Sequence, residues 1–116
     1  MRALRAVAAL GLLAAVLAAC GGDGGGGEPV PTDRVEMARS YRFSPETIQV
    51  TAGTTVTWTN RDNFTHTVRL LDGSGTDLRV EPGESTSITF ERPGTYRYDC
   101  SLHPRDMQGT VVVTEG

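Results

Sequence analysis

The strongest constraint on the fold of this chain is a series of short runs in which polar and apolar residues alternate. The runs cover residues 47–50, 54–60, 66–71, 85–90, 95–100 and 109–114, and they are rich in threonine, valine and aromatic residues. Turns that contain glycine or proline separate them, such as DGSG at 72–75 and EPGE at 81–84. A period of two in short, regularly spaced runs predicts an antiparallel β-sandwich or barrel.

The length of the chain limits it to one such domain. A chain of 116 residues has enough sequence for a single core of ordinary size. We place this domain at residues 34–116, where residues 35–43 add another strand or two. No stretch in it shows a convincing helical period of 3.6 residues. The fold class is therefore all-β.

The first nineteen residues have the layout of a secretory signal. Arg2 and Arg5 form a positively charged N-terminal region. Residues 6–19 form an apolar stretch of small residues and leucines. The segment ends in LAAC followed by glycine, which resembles the lipobox of bacterial lipoproteins. That resemblance implies that Cys20 becomes the mature N-terminus and carries the lipid. An uncleaved transmembrane helix is the alternative, but the apolar run is shorter than the ~20 residues that a bilayer requires.

Residues 20–33 predict a lipid-anchored tether. The segment after Cys20 is glycine-rich, then contains two prolines, and has almost nothing to bury. We therefore expect an exported protein that is held at the outer face of the cell membrane, on the periplasmic or extracellular side.

The charge of the chain argues against nucleic acid as a partner. There are 11 basic and 14 acidic side chains, and Arg2 and Arg5 lie in the predicted signal. Nucleic-acid binding depends largely on neutralising phosphates. A mature domain with an excess of acid is poorly suited to that task.

Cys100 cannot form an internal disulfide if Cys20 carries a lipid. The chain has two cysteines, so Cys100 is then left without a partner in an oxidising compartment. It is a free thiol, an intermolecular partner or a metal ligand.

The alternation in residues 95–100 places Cys100 on the core side of its strand. Tyr96, Tyr98 and Cys100 share one face, while Arg97 and Asp99 take the opposite, solvated face. Cys100 is therefore expected at the end of a strand, facing the interior.

The alternation in residues 66–71 places His66 on the core side as well. His66 shares a face with Val68 and Leu70, while Thr67 and Arg69 point outward. His66 is thus predicted to be half-buried where its strand begins.

The residues that could bind a metal form one group. The chain has two histidines, His66 and His103, and Cys100, His103 and Met107 fall within eight residues. Two imidazoles, one thiolate and a distant thioether are the donor set of a type 1 copper centre. Structural zinc prefers four strong ligands in a closed tetrahedron, so this set favours copper.

The motif CSLHPRDMQGTVVV, with NFTHTV upstream, resembles the cupredoxins of the plastocyanin, pseudoazurin and amicyanin type. The resemblance covers residues 34–116 and implies a Greek-key β-sandwich of about 7–8 strands that binds one copper ion, as Cu(I) or Cu(II). It maps the copper ligands onto His66, Cys100, His103 and Met107. Three residues separate His103 from Met107, where plastocyanins usually have four and amicyanins two.

The resemblance also implies residues that act around the copper. Thr67 and Ser101 stand where the family has hydrogen bonds that orient the ligands. Leu102 and Pro104 would form an apolar docking patch around His103, through which electrons enter and leave. Asp99 stands where photosynthetic plastocyanins have an exposed tyrosine, so a partner route through that position is doubtful.

The implied function is that of a one-electron carrier, most simply a monomer, that meets a redox partner protein of unknown identity. Copper storage or trafficking without redox duty is the alternative, although such sites are usually open and rich in methionine. A copper enzyme would need further histidines for a second metal site. A copper-free binding module would have no reason to keep all four ligands.

Overall fold

Residues 28–116 fold into ten strands that form two facing sheets. The computed structural model describes residues 28–116, so the predicted signal peptide (1–19), Cys20 and the first part of the tether lie outside the described residues. The strands are β1 (Val30–Pro31), β2 (Arg34–Ala38), β3 (Arg42–Ser44), β4 (Thr47–Thr51), β5 (Thr54–Asn60), β6 (His66–Leu70), β7 (Asp77–Val80), β8 (Ser85–Phe90), β9 (Gly94–Asp99) and β10 (Gln108–Thr114).

The predicted all-β sandwich is confirmed, but its sheets are mixed rather than wholly antiparallel. The larger sheet has the order β1-β4-β10-β9-β6-β7, and the smaller one has the order β3-β2-β5-β8. Strand β4 runs parallel to both β1 and β10, and β2 runs parallel to β5. Alternation within a strand reports which side chains face the core, but it carries no information about the direction of the neighbouring strand. Residues 28–116 contain no helix that is long and apolar enough to cross a membrane.

Two strands were missing from the sequence-based prediction. The short strand β1 pairs with β4 and falls inside the segment 20–33 that was predicted to be a tether, so the ordered sheet begins before residue 34. Strand β7 pairs with β6 and follows the predicted turn at 72–75. Both strands are short and partly exposed, and therefore lack a strong apolar alternation.

The threonine-rich alternation of β5 has a direct structural reason. Val56 and Trp58 point into the core and are fully buried. On the outer face, the hydroxyls of three threonines meet those of the antiparallel strand β8, at distances of 2.7–2.9 Å, in the pairs Thr55–Thr89, Thr57–Ser87 and Thr59–Ser85. These cross-strand pairs stabilise the register of the smaller sheet.

The core lies between the two sheets and is built around aromatic side chains. Trp58 contacts Tyr98 edge-on with ring centroids 5.3 Å apart, and Phe43 also contacts Tyr98 edge-on, at 4.7 Å. Tyr98 lies two residues before Cys100 on the core face of β9, as the alternation predicted. The aromatic core therefore continues directly into the region around Cys100.

Two outward-facing residues near Cys100 are buried, although the alternation predicted them to be exposed. Asp99 is only 6% exposed because Arg69 on β6 forms two hydrogen bonds with its carboxylate, each 2.9 Å long. Thr67 is 5% exposed because Ser101 lies across it. A period of two identifies the face of a sheet, but it does not reveal which side chains cover that face.

Candidate metal site

Three potential metal ligands meet at one end of the sandwich. His66, Cys100 and His103 each present a donor atom, and these atoms all lie within 4.8 Å of one another. The Cys100 Sγ is 3.8 Å from His66 Nδ1 and 3.6 Å from His103 Nδ1. The fold brings together residues that are 34 positions apart in the chain, because β6 and β9 are neighbours in the larger sheet.

His66 is held from behind by a carboxylate. It is fully buried, rather than half-buried as predicted, at the first position of β6, and its Nε2–H donates to Asp62 Oδ2 over 2.9 Å. Because a carboxylate only accepts hydrogen bonds, Nε2 carries a proton, and Nδ1 is the ring nitrogen on the side of the Cys100 sulfur that is left to bind a metal. The bond sets both the tautomer and the ring orientation that a metal ligand requires.

Asp62 is itself fixed by the turn that leads into β6. The side chain of Asn60 accepts from the Asp62 N–H at 2.8 Å and donates to the carbonyl oxygens of Phe64 and Val80. Burial opposes ionisation of Asp62, but the hydrogen bond from His66, the N–H of Asn63 and nearby positive charge outweigh it and lower its pKa. The carboxylate is therefore ionised when it accepts from His66.

Sequence reasoning missed Asp62. The available signal was the run N-R-D-N between a strand and a histidine, since Asn and Asp commonly bond to their own backbone in turns. That signal predicts a turn, but it does not reveal that the turn reverses so tightly that Asp62 reaches His66.

The sulfur of Cys100 also receives a backbone hydrogen bond. Cys100 is fully buried just after β9, and the N–H of Thr67 points at its Sγ over 3.3 Å. The Ser101 N–H donates to Thr67 Oγ1 at 2.7 Å, and the Ser101 hydroxyl in turn donates to Asp77. Thr67 and Ser101 therefore tie the segment around Cys100 to strands β6 and β7.

The loop between β9 and β10 folds back on itself and returns His103 to Cys100. The carbonyl oxygen of Cys100 accepts from the His103 N–H at 3.0 Å, and that of His103 accepts from the Met107 N–H at 3.0 Å. The Cys100 N–H donates to the Met107 carbonyl oxygen and closes the loop. As a result Met107 is fully buried, while His103 stays partly exposed.

The two residues predicted to form a docking patch lie on the surface of this loop. Leu102 is 49% exposed, and Pro104 is exposed as well. Phe64, on the turn before β6, is 54% exposed, and the sequence-based reasoning did not single it out.

A tyrosine that the sequence analysis had not singled out packs against both histidines. The Tyr41 ring lies 4.7 Å from the His103 ring and meets the His66 ring edge-on at 5.9 Å, measured between centroids. Its other neighbour is Phe64, stacked at 5.6 Å. Tyr41 precedes β3 in a turn more than sixty residues from His103, and no local pattern connects the two.

The three donor atoms are spaced to hold a single metal ion. Bonds of about 2.1 Å to nitrogen and about 2.3 Å to sulfur, opened to roughly 110–120°, place nitrogen and sulfur about 3.6–3.8 Å apart. The two sulfur–nitrogen distances found here, 3.6 and 3.8 Å, match that spacing. The set of one thiolate and two imidazoles in a buried setting favours copper over the all-oxygen cations.

Comparisons with known proteins agree with this geometry. A family model described as a cupredoxin-like domain matches residues 8–113. The chain is 36% identical over 120 residues to amicyanin-alpha of Methylorubrum extorquens, covering 97% of this chain and 99% of that protein. It is 35% identical over 83 residues to plastocyanin of Scenedesmus fuscus, covering 61% of this chain and 85% of the relative.

A solved structure gives the same result. An amicyanin variant in its Cu(I) form superposes with a TM-score of 0.62 and 33% identity, over 69% of this chain and 79% of that one. Blue copper electron transfer, rather than enzymatic catalysis, is the function that accompanies this family, and its cofactor is copper. The family match, the sandwich and the clustered donors together establish that the chain belongs to the cupredoxin-like domain family.

Proposed function

We propose that the chain is a lipid-anchored one-electron carrier whose copper is held by His66, Cys100, His103 and Met107. The observation that carries the proposal is the fully buried Cys100 sulfur between two imidazole Nδ1 atoms, one of which belongs to a partly exposed histidine. Bound copper supplies one-electron chemistry, in which a reduced donor delivers one electron and an oxidised acceptor later removes it.

The protein's own residues contribute a rigid, dry setting for that exchange. His66 is locked by Asp62, and the Cys100 sulfur is held by the Thr67 N–H. Met107 is fully buried in the same loop, and the motif maps it onto the weak methionine ligand of the family, whose thioether would favour Cu(I). A site whose ligands cannot move reorganises little when the charge of the metal changes, which speeds electron transfer.

The visible spectrum of the copper-loaded mature protein tests this proposal. We expect an intense blue absorption from thiolate-to-copper charge transfer, which is absent in Cys100→Ser. A colourless wild type would contradict the proposal. Rapid loss of copper to a mild chelator would instead favour the alternative of copper storage or trafficking.

We further propose that electrons pass through His103 and that Leu102 and Pro104 form the docking patch. His103 is the ligand closest to the solvent, and Leu102 is 49% exposed beside it. Two apolar surfaces can approach closely there, whereas a charge in the patch has to be desolvated when a partner docks.

Electron self-exchange between Cu(I) and Cu(II) copies of the protein tests the patch without a known partner. We expect Leu102→Asp to slow self-exchange, and we expect the same of His103→Ala, which also removes a proposed copper ligand. The matched control is Leu71→Asp, because Leu71 is also exposed, at 51%, but lies past the far end of β6. At about 3.3 Å per residue, the five positions from His66 to Leu71 span roughly 16 Å. Equal slowing by both leucine variants would reject the patch.

The membrane anchor rests on the N-terminal pattern. In the proposal, residues 1–19 are removed and Cys20 carries the lipid. The glycine-rich segment then separates the domain from the outer face of the cell membrane. Each buried CH₂ group contributes about 0.8 kcal/mol, so stable anchoring needs more than one acyl chain. A labelled fatty acid supplied to the cells should be incorporated into the wild type and not into Cys20→Ser. A wild type that incorporates no label would contradict lipidation at Cys20.

A further inference from the structure

The two histidines of the site are restrained in different ways. The His66 ring is fully buried, and its Nε2–H is bonded to Asp62. The His103 ring is partly exposed, and within residues 28–116 its one polar contact is with the Cys100 sulfur. Hydrogen bonding therefore orients the first ring from behind, whereas something else has to orient the second.

Tyr41 fills that role by contact. Its ring lies 4.7 Å from the His103 ring at an interplanar angle of 52° and meets the His66 ring edge-on at 87°. A tilted or edge-on pair at such distances is an attractive arrangement for aromatic rings. Tyr41 is therefore placed to limit the rotation of both histidine rings, and of His103 above all.

The backbone under Tyr41 is strained in a way that favours a dedicated role. Ser40 and Tyr41 have φ angles of 74° and 58°, in the left-handed region that residues with a Cβ rarely adopt. Such a conformation is unfavourable for residues with a Cβ and persists only where the surroundings hold it. Here the turn between β2 and β3 turns the Tyr41 side chain toward the histidines.

Phe64 supports Tyr41 from the solvent side. The two rings stack at 5.6 Å with an angle of 24°, and Phe64 itself is 54% exposed. Tyr41 is thus confined between Phe64 on the outside and the two histidines on the inside. The described residues provide no hydrogen bond to the Tyr41 hydroxyl, so the ring is the part that acts.

We propose that Tyr41 is a positioning residue that holds the His103 ring in its metal-binding orientation, with Phe64 as its outer support. The inference rests on the proposed function, because it concerns ligand residues of the proposed copper site. Holding His103 in place should slow the escape of the metal from the exposed side of the site and preserve the ligand geometry in both oxidation states.

The test compares Tyr41→Leu, Tyr41→Phe and Tyr96→Leu in the copper-loaded full mature chain. Tyr96 is the matched control, because it is also a half-buried tyrosine against a phenylalanine, Phe90 at 5.0 Å, but lies four residues before Cys100 along β9. Two readouts are measured, the rate of Cu(I) transfer to a chelator and the ring-proton resonances of His103 in the Cu(I) protein.

We expect Tyr41→Leu to speed Cu(I) loss roughly threefold to tenfold, the scale set by one aromatic pair. It should also remove the ring-current shift on His103. Tyr41→Phe should behave like the wild type, because the ring is retained, and Tyr96→Leu should leave both readouts unchanged. If Tyr41→Leu does not fold, Phe64→Ala replaces it and should show a smaller change in the same direction.

Unchanged Cu(I) loss and an unchanged His103 resonance in Tyr41→Leu, or in Phe64→Ala where that variant is used, would overturn the inference. A blue wild type with such a result would leave the proposed function standing. A wild type without blue absorption would contradict the proposed function, and the inference about Tyr41 would fail with it. The colour of the wild type therefore distinguishes a failure of the proposed function from a failure of the inference alone.

Discussion

Two buried regions adjoin each other along β9, the metal site and the aromatic core. They differ in whether their buried polar atoms are hydrogen-bonded. At the metal site, the Nε2–H of His66 is bonded to Asp62, and the sulfur of Cys100 receives the Thr67 N–H. Two residues before Cys100, the hydroxyl of Tyr98 is buried without a hydrogen-bond partner among residues 28–116, as is the indole N–H of Trp58.

The difference shows what each region has to achieve. An unsatisfied buried donor costs about 1–3 kcal/mol, a cost that the aromatic core tolerates because its large rings bury so much apolar surface. The metal site depends on orientation rather than on filled volume, so its polar groups are bonded. Changes at the site should therefore alter metal binding with little effect on the fold, and changes in the core should do the reverse.

Removing a histidine should produce the largest effect and test the site side of the comparison. We expect both His66→Gly and His103→Gly to lose the intense visible absorption. Added imidazole should restore it only in His103→Gly, because that space opens to solvent, whereas the space of His66 is closed beneath Asp62. Absorption spectra recorded during an imidazole titration check this. Equal rescue of both variants would show that the two histidines are equally accessible.

Removing the carboxylate behind His66 should have the next largest effect. Asp62→Ala leaves Nε2 without its buried acceptor, and losses of about 10–100-fold in metal affinity are usual for such partners. Copper competition titrations measure the change. Asp72→Ala is the control, because that carboxylate bonds to Ser74 in an exposed turn. Wild-type affinity in Asp62→Ala would mean that buried surroundings alone orient His66.

Gly109→Ala should damage the core and spare the site. A Cβ at position 109 would overlap Cζ and the hydroxyl oxygen of Tyr98, so the tyrosine ring would have to shift. Overpacking of this kind costs about 1–3 kcal/mol of unfolding free energy. Denaturant unfolding measures the loss, with the exposed change Thr95→Ala on β9 as the control. If Gly109→Ala lost its blue colour but kept its free energy of unfolding, the distinction between the core and the metal site would be wrong.

Tyr98→Phe should have the smallest effect at neutral pH and a clear one in alkali. Burial raises the pKa of Tyr98 well above its usual value. The unfolded tyrosine ionises near pH 10. The stability linked to Tyr98 is therefore fully present below about pH 10 and is lost as the pH rises toward the higher folded pKa.

Denaturant unfolding at pH 7 and above pH 10 checks this prediction. At pH 7, removing an unpaired hydroxyl should be neutral or slightly stabilising. In alkali, the wild type and the control Tyr96→Phe should lose more stability than Tyr98→Phe, because both keep the Tyr98 hydroxyl. The same alkaline loss in all three proteins would place its origin elsewhere in the chain.

Much of the fold was predictable because alternation and turns are local properties. The core faces of β5, β6 and β9 follow from a period of two, and the buried Val56, Trp58 and Tyr98 lie where that period places them. Strand direction was not predictable. A parallel pair such as β4 and β10 joins segments some sixty residues apart, and nothing within either strand indicates its neighbour.

The sequence by itself determined that the chain is an all-β sandwich and that Cys100, His103 and Met107 share one loop, because both follow from residue types at short spacing. Only the tertiary structure decided that Asp62 holds His66, that Arg69 buries Asp99 and that Tyr41 covers His103. Each of these contacts depends on which backbone segments meet and at what angle. That is a property of the packed sheets, and the pattern within a single strand does not contain it.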